Sequence, residues 1–448
     1  MRRLLIAVAA LALGLAVTPR PAGANGRFPR SVKIIFQPGQ PATAAMGMTF
    51  GLLVTKDAGA TWRWVCEAAV GFEGTFDPDY ELSSSGALFA TTPHGLRVDR
   101  DGCAWVAPTG DVGTTQVTSL AIGSDGAVWT GTSDPVTGSR IYRSTDDGVT
   151  FTPAGLDGQA GDWWSSIEVA PGQPDHVLVT AYRLAGGLPR ERLMFRTVDG
   201  GAHWDALPTT GFATRTSSDL LIAALDPTNP DVAYMRVTAI GPTIEEAVYR
   251  TADLWTAPAA TGPTWTKVLD VQDYITGLVV HAGGEVLATT PALGLHRSTD
   301  GGLTFAPVPG VQFDEQCLAE RPGGELWMCT NNVPPDNATL HVSAGPAAGP
   351  WTPRLTFAQI TGPVRCAAGT VQHDQCEATL WCGLVDNFNI TSTEIACGGP
   401  VDAGVDAPAG DGGGKSCCST GRGPGLEVGV VALGLLARRR RQRGRVSR

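Results

Sequence analysis

One eight-residue phrase returns along the chain, and its spacing limits the fold more than any other feature. "TKDAGATW" ends at Trp62, "VDRDGCAW" at Trp105, "STDDGVTF" at Phe151, "TVDGGAHW" at Trp204 and "STDGGLTF" at Phe305. A split copy, "TAD" then "GPTW", ends at Trp265, and a worn one, "SAGPAAGPW", at Trp351. The seven aromatics are separated by 43, 46, 53, 61, 40 and 46 residues. Repeats of this period are supersecondary units that bury their faces only by stacking on one another.

A second repeat runs in phase with the first. A short apolar run leads to a turn and a second run, as in "IIFQPGQPATAAM", "LAIGSDGAVWTGT", "LIAALDPTNPDVAYM" and "CLAERPGGELWMC". Gly, Pro, Asn and Asp fill the turns, while β-branched and aromatic residues fill the runs. Each unit is therefore two hairpins, or four strands. The composition agrees, with 57 Gly, 32 Pro and only 17% charged residues, as in turn-rich β proteins. The predicted fold is all-β: a seven-bladed β-propeller over 25–360, a short Cys-rich segment over 361–398, and a flexible anchored tail.

The phrase needs no substrate to explain it. A carboxylate in a tight turn accepts backbone N–H bonds from residues just ahead, Gly supplies a left-handed position, and the aromatic anchors between sheets. The residues assigned this structural role are Asp57, Gly59 and Trp62; Asp146, Gly148 and Phe151; Asp199, Gly201 and Trp204; and Asp300, Gly302 and Phe305. His203 replaces the Thr of the third set. In the second blade Arg100 falls in the Asp slot, between Asp99 and Asp101, and the fifth blade inserts about seven residues after Asp253. A calcium loop wants alternating acids and a distal Glu, which these copies lack, so neither metal nor cofactor is expected.

The phrase resembles the Asp-box (BNR) repeat of sialidases, sortilin-type receptors and many bacterial propellers. The sialidase resemblance implies an arginine triad, a Tyr–Glu pair and an Asp acid/base. Only Arg30, in "RFPRSV", sits near a matching place. Glu245-Glu246 is the one adjacent acidic pair to consider as acid/base; neighbours on a strand point to opposite faces, and a solvated loop is the simpler expectation. Enzymatic activity is therefore not expected. A non-enzymatic module binding an extracellular protein or glycan is the leading function, with a diverged glycoside hydrolase as the alternative. A resemblance to photosystem-assembly propellers offers a third, which surface sorting disfavours. The insertions near 183–192 and 254–261 are predicted to carry a binding surface, and Trp163-Trp164 is a possible sugar-stacking pair that competes with a role in the core.

The ends point outward from the cytoplasm. Residues 1–24 read as a signal peptide, with Arg2 and Arg3, the apolar run "LLIAVAALALGLAV" and a small-residue site at Ala22-Gly23-Ala24. Residues 399–416 form a Gly/Ala/Asp-rich linker with a reach of about 25 Å. Residues 417–448 pair a short apolar stretch with an arginine cluster. "SCCSTGRGPGLEVGVVALGLLARRRRQR" resembles the tripartite C-terminal sorting signal of myxobacterial surface proteins, which implies a membrane sorting protease, processing at Cys417 or Cys418, and display on the cell surface. Between the ends, residues 25–418 carry 22 basic and 42 acidic residues, net −20. That charge argues against nucleic acid and against anionic membranes, leaving membrane contact to the tail.

Export permits disulfides among the ten cysteines. Cys317 and Cys329 flank one hairpin and are predicted to lie opposite each other. Cys66 and Cys103, on the outer hairpins of the first two blades, are placed to staple neighbours. Cys366, Cys376, Cys382 and Cys397 cluster after the propeller, with three pairings open if all bond internally; a zinc site is the rival, with poor spacing.

Overall fold

A computed structural model describes residues 27–397, apart from short gaps at 73–75, 135, 137, 185–189, 213–217, 239–243, 282–283 and 344–348. Alternating patterns and Gly-rich turns give four-stranded antiparallel meanders, seven in number. They span Ser31–Val65, Tyr80–Val106, Val117–Asp157, Asp162–Ala206, Leu220–Val271, Gly277–Pro307 and Cys317–Leu355. The first strand of each meander touches that of the next, and the seventh touches the first, so the blades close a ring around a central channel. The fold is a seven-bladed β-propeller.

Because every blade is a simple meander, the first and third turns of all blades lie on one face of the ring. The second turns and the connections between blades lie on the other. The recurring phrase is always the third turn. The core lies between blades, in inter-blade clusters such as that of Trp129, Trp164 and Val179 and that of Tyr234, Val248 and Val286.

The chain does not leave the ring after the seventh blade. Gly362–Pro363 adds a parallel fifth strand to the outer edge of the first blade, pairing with Arg63 and Trp64. A π-helical run, Gln372–Leu380, and an α-helix, Trp381–Phe388, follow. Trp381 packs on Trp64, and the Gln372 side-chain amide donates to the Trp64 carbonyl at 3.0 Å. Arg63 grips Glu394 through two hydrogen bonds of 2.8 and 2.9 Å.

That strand addition corrects the predicted cysteine pairing. Cys66 bonds Cys376 and Cys103 bonds Cys366, so neither Cys66 with Cys103 nor the four later cysteines form a closed set. Docking of 362–376 along the first blade carries Cys366 and Cys376 to the outer hairpins. Only Cys382–Cys397 closes within the segment. Cys317 and Cys329 stand directly opposite on their hairpin and are bonded. Among the described residues no group of His, Cys, Asp and Glu is arranged to hold a metal, and no helix is long and apolar enough to cross a membrane.

Candidate functional site: the cleft between the first two blades

The acids of the recurring turn are consumed locally. Thr61 donates to Asp57 from its N–H (2.9 Å) and hydroxyl (2.6 Å), and the Gly59 N–H donates to Thr55 Oγ1 at 3.0 Å. Thr150 does the same for Asp146, and Thr304 for Asp300. In the fourth blade His203 Nδ1 replaces the hydroxyl, 2.6 Å from Asp199. In the fifth, the Thr264 N–H reaches Asp253 at 2.9 Å across the insertion. These hydrogen bonds hold Asp146 and Asp199 down to about 2, and Asp300 well below the ordinary range.

The second blade departs from the pattern, and not as the alignment on its aromatic implied. Asp99 accepts the N–H groups of Asp101 (3.1 Å) and Gly102 (2.8 Å), as Thr55 accepts those of Asp57 and Gly59. Asp101 accepts the N–H groups of Cys103 and Ala104 at 2.8 and 2.9 Å. Asp101, not Arg100, is therefore the acid of this turn, Asp99 occupies the hydroxyl position, and the turn is one residue shorter.

The glycine of each phrase faces the preceding blade. A methyl on Gly59 would stand 2.8 Å from Trp327, one on Gly148 2.4 Å from Phe89, and one on Gly302 2.3 Å from the Tyr234 hydroxyl; on Gly201 it would meet Ala154 O at 2.7 Å and Trp129 at 3.3 Å. Each of these aromatics lies on the second strand, opposite the residue just before the phrase: Val342 for Trp327, Val98 for Phe89, Arg143 for Trp129 and Arg250 for Tyr234. By the same register the position is Ala45 in the first blade, opposite Val54. A methyl on Gly102 would meet nothing within 4 Å. A ring locked against a glycine seals four blade interfaces. Between the first and second blades both halves of that lock are reduced.

The consequence is a cleft of about 730 Å³ on the turn face. Ala45, Val54, Val65, Leu82 and Leu88 line its walls; Gln40, Lys56, Ser84, Arg100 and Asp101 are among its polar residues. Val364 of the C-terminal segment also borders it. Burial pushes the Asp99 carboxyl up to about 6, and the neighbouring Asp101 charge adds to the rise. The sequence carried the signal for this site: "QPATAAM" has Ala45 where the parallel runs have Trp, Phe, Tyr or Leu. Single-phrase matching overlooks it, because Ala45 lies outside the phrase.

Other predicted site residues fall elsewhere. Trp164 is 2% exposed and fills the interface of the third and fourth blades against Phe195, so it is core and not a sugar platform; Trp163, its half-buried neighbour, pairs across the sheet with Tyr182. The insertion at 254–261 is anchored by part of its length, while Thr256, Pro258, Ala260 and Thr261 are exposed. Leu254 is buried, Arg196 donates to the Leu254 and Ala257 carbonyls, and Trp255 lies against His176. Glu246 is no solvated loop residue: it is buried, accepts the Ile275 N–H at 2.9 Å and lies 3.6 Å from Arg236, while Glu245 precedes that strand. Arg30 is exposed and donates to Gln316 at 3.2 Å. In the channel, Lys33 bridges Asp79 (2.5 Å) and Glu81 (3.0 Å), and burial pushes Glu168 up to about 8. The signal peptide, the linker, Cys417 and Cys418 lie outside the described residues.

No protein-family model matches the sequence, and no curated protein matches it. Solved structures do resemble it in fold. The extracellular domain of a hybrid two-component system from B. thetaiotaomicron is 13% identical over 70% of this chain and 38% of its own, with a TM-score of 0.48. YCF48 from Cyanidioschyzon merolae is 13% identical over 67% and 92%, also at 0.48. PorZ, a surface component of the type-IX secretion system of Porphyromonas gingivalis, is 15% identical over 64% and 41%, at 0.42. This chain thus spans about two fifths of the first and third. At such identities the likeness is one of fold alone. Four disulfides fit an oxidising, extracytoplasmic setting.

Proposed function

We propose that this protein is an exported propeller, displayed at the cell surface, that binds a protein or glycan partner without chemically altering it. The observation that carries the reading is the cleft at Ala45 and Gly102, a concave site that combines an aliphatic patch with many polar and charged groups, opened where a blade interface lacks its lock. Display rests on the sequence of the two ends, and the disulfides support export.

The hydrolase alternative would place its chemistry on Asp57, Asp99 and Asp101, the acids lining the cleft. Glycoside hydrolysis uses carboxyls separated by about 5 Å or by roughly 6.5–9.5 Å. Asp57, Asp99 and Asp101 instead each accept backbone N–H groups of their own turn, which ties all three to holding that turn.

The test is a glycan array and an envelope-protein pull-down with the purified protein, beside a panel of chromogenic glycosides. Binding without turnover is the expected result. Turnover of any glycoside that disappears in Asp99→Asn would overturn the reading.

A further inference from the structure

We propose that the cleft between the first two blades receives an aromatic side chain from a partner polypeptide. This rests on the binding reading above and names the chemistry of the partner. The repetition of the fold supplies the reason. At four other interfaces the space over the phrase glycine is filled by a ring of the preceding blade: Trp327, Phe89, Trp129 or Tyr234. At the equivalent place here the chain supplies the methyl of Ala45, and the space over Gly102 is open. The surrounding scaffold is the one that elsewhere accommodates a six-membered or indole ring.

The lining decides between classes of ligand. Sugar sites characteristically present an aromatic face to the pyranose, yet no Phe, Trp or Tyr is among the described residues lining this cleft. The apolar part of the lining is wholly aliphatic, so a ring must come from the ligand. A ring seated on the aliphatic patch of Ala45, Val54, Val65, Leu82 and Leu88 would remove apolar surface of both partners from water. Lys56 and Arg100 at the rim can meet a ring face or a peptide carbonyl, and Gln40 and Ser84 offer hydrogen bonds to an extended backbone. A polypeptide supplies ring and backbone together.

Three features make the opening durable. Cys66–Cys376 and Cys103–Cys366 tie the first and second blades to the same C-terminal segment. The strand at Gly362–Pro363 fixes Val364 at the border of the cleft. The blades therefore cannot slide together to close the gap without straining two covalent links.

The test uses the purified protein and two probes, the peptides Gly-Gly-Trp-Gly-Gly and Gly-Gly-Leu-Gly-Gly, read by saturation-transfer NMR and calorimetry. The Trp peptide is expected to bind at least tenfold more tightly. Ala45→Trp should abolish that binding while keeping or raising the thermal midpoint, because the chain then fills its own cleft. Ala45→Leu, which copies Leu178 and Leu287 of the fourth and sixth blades, is the milder plug and should weaken binding severalfold. Equal binding of the two peptides, or Trp-peptide binding untouched in a folded Ala45 variant, would overturn the proposal. Retention by those variants of a partner found on the array or in the pull-down would do so too, while leaving the binding-module reading intact.

Discussion

Asp99 stands where Thr55, Ser144, Thr197, Thr251 and Ser298 stand in other blades, and accepts the same kind of backbone hydrogen bonds. A hydroxyl does this without charge. The carboxylate must be ionised in a place that burial disfavours, which is why its pKa rises to about 6. A carboxyl whose folded pKa lies above its unfolded value of about 4 contributes stability that is whole below pH 4 and lost as pH rises through 6. A tenfold change in the ionisation equilibrium is worth about 1.4 kcal/mol, so at pH 7.5 the ionised group is a liability of roughly 2–3 kcal/mol. Asp99→Thr keeps the acceptor and removes the charge. Its thermal midpoint should exceed that of the unaltered protein at pH 7.5, with the gap shrinking towards pH 4.5. Parallel curves across that range would show that Asp99 does not titrate as argued.

The turn is the element that repeats, and its glycine does two jobs at different cost. Gly302 and Gly102 have similar left-handed backbones, with φ of 77° and 82°. Both would suffer the strain of a side chain there, about 1–2 kcal/mol. Only Gly302 would also drive a methyl to 2.3 Å from Tyr234. Gly302→Ala should therefore lower the unfolding midpoint clearly more than Gly102→Ala, and equal losses in chemical denaturation would refute the lock. At this scale the sequence was informative, because hydroxyl, Asp, Gly and aromatic each have a fixed place in one turn. Its failure at the second blade is also physical. Aligning on Trp105 hides a deletion inside the turn, since what registers the element is the hydrogen bond from the Gly102 N–H back to Asp99, three residues before it, against four from the Gly59 N–H back to Thr55. Trp164 was ambiguous for a different reason: a Trp beside a Trp on a strand has one face in the core and one out, and only the neighbouring blade, through Gly131, decides which.

Closure of the whole ring was the least legible feature, because it depends on contacts between residues some 300 positions apart. The number of blades could be counted, but the covalent partners of Cys66 and Cys103 could not be known until the chain beyond the seventh blade was seen to return as an edge strand. The two bonds span 310 and 263 residues, and one lies inside the other. In the chain-entropy picture their effects are strongly coupled. With one intact, removing the other frees only the arms between them, about 47 residues, and costs about 4 kcal/mol; removing the last frees the full loop, for a further 5–6 kcal/mol. The combined loss approaches the entire stability of a typical domain, about 5–15 kcal/mol. Cys103→Ser with Cys366→Ser should accordingly still fold, with a lower midpoint. The fourfold variant that also carries Cys66→Ser and Cys376→Ser should lose the C-terminal segment to limited proteolysis and unfold at much lower denaturant. Were the fourfold variant as stable as the double one, the parallel strand at Gly362–Pro363 and the packing of Trp381 on Trp64 would be closing the ring by themselves, and the disulfides would be incidental to it.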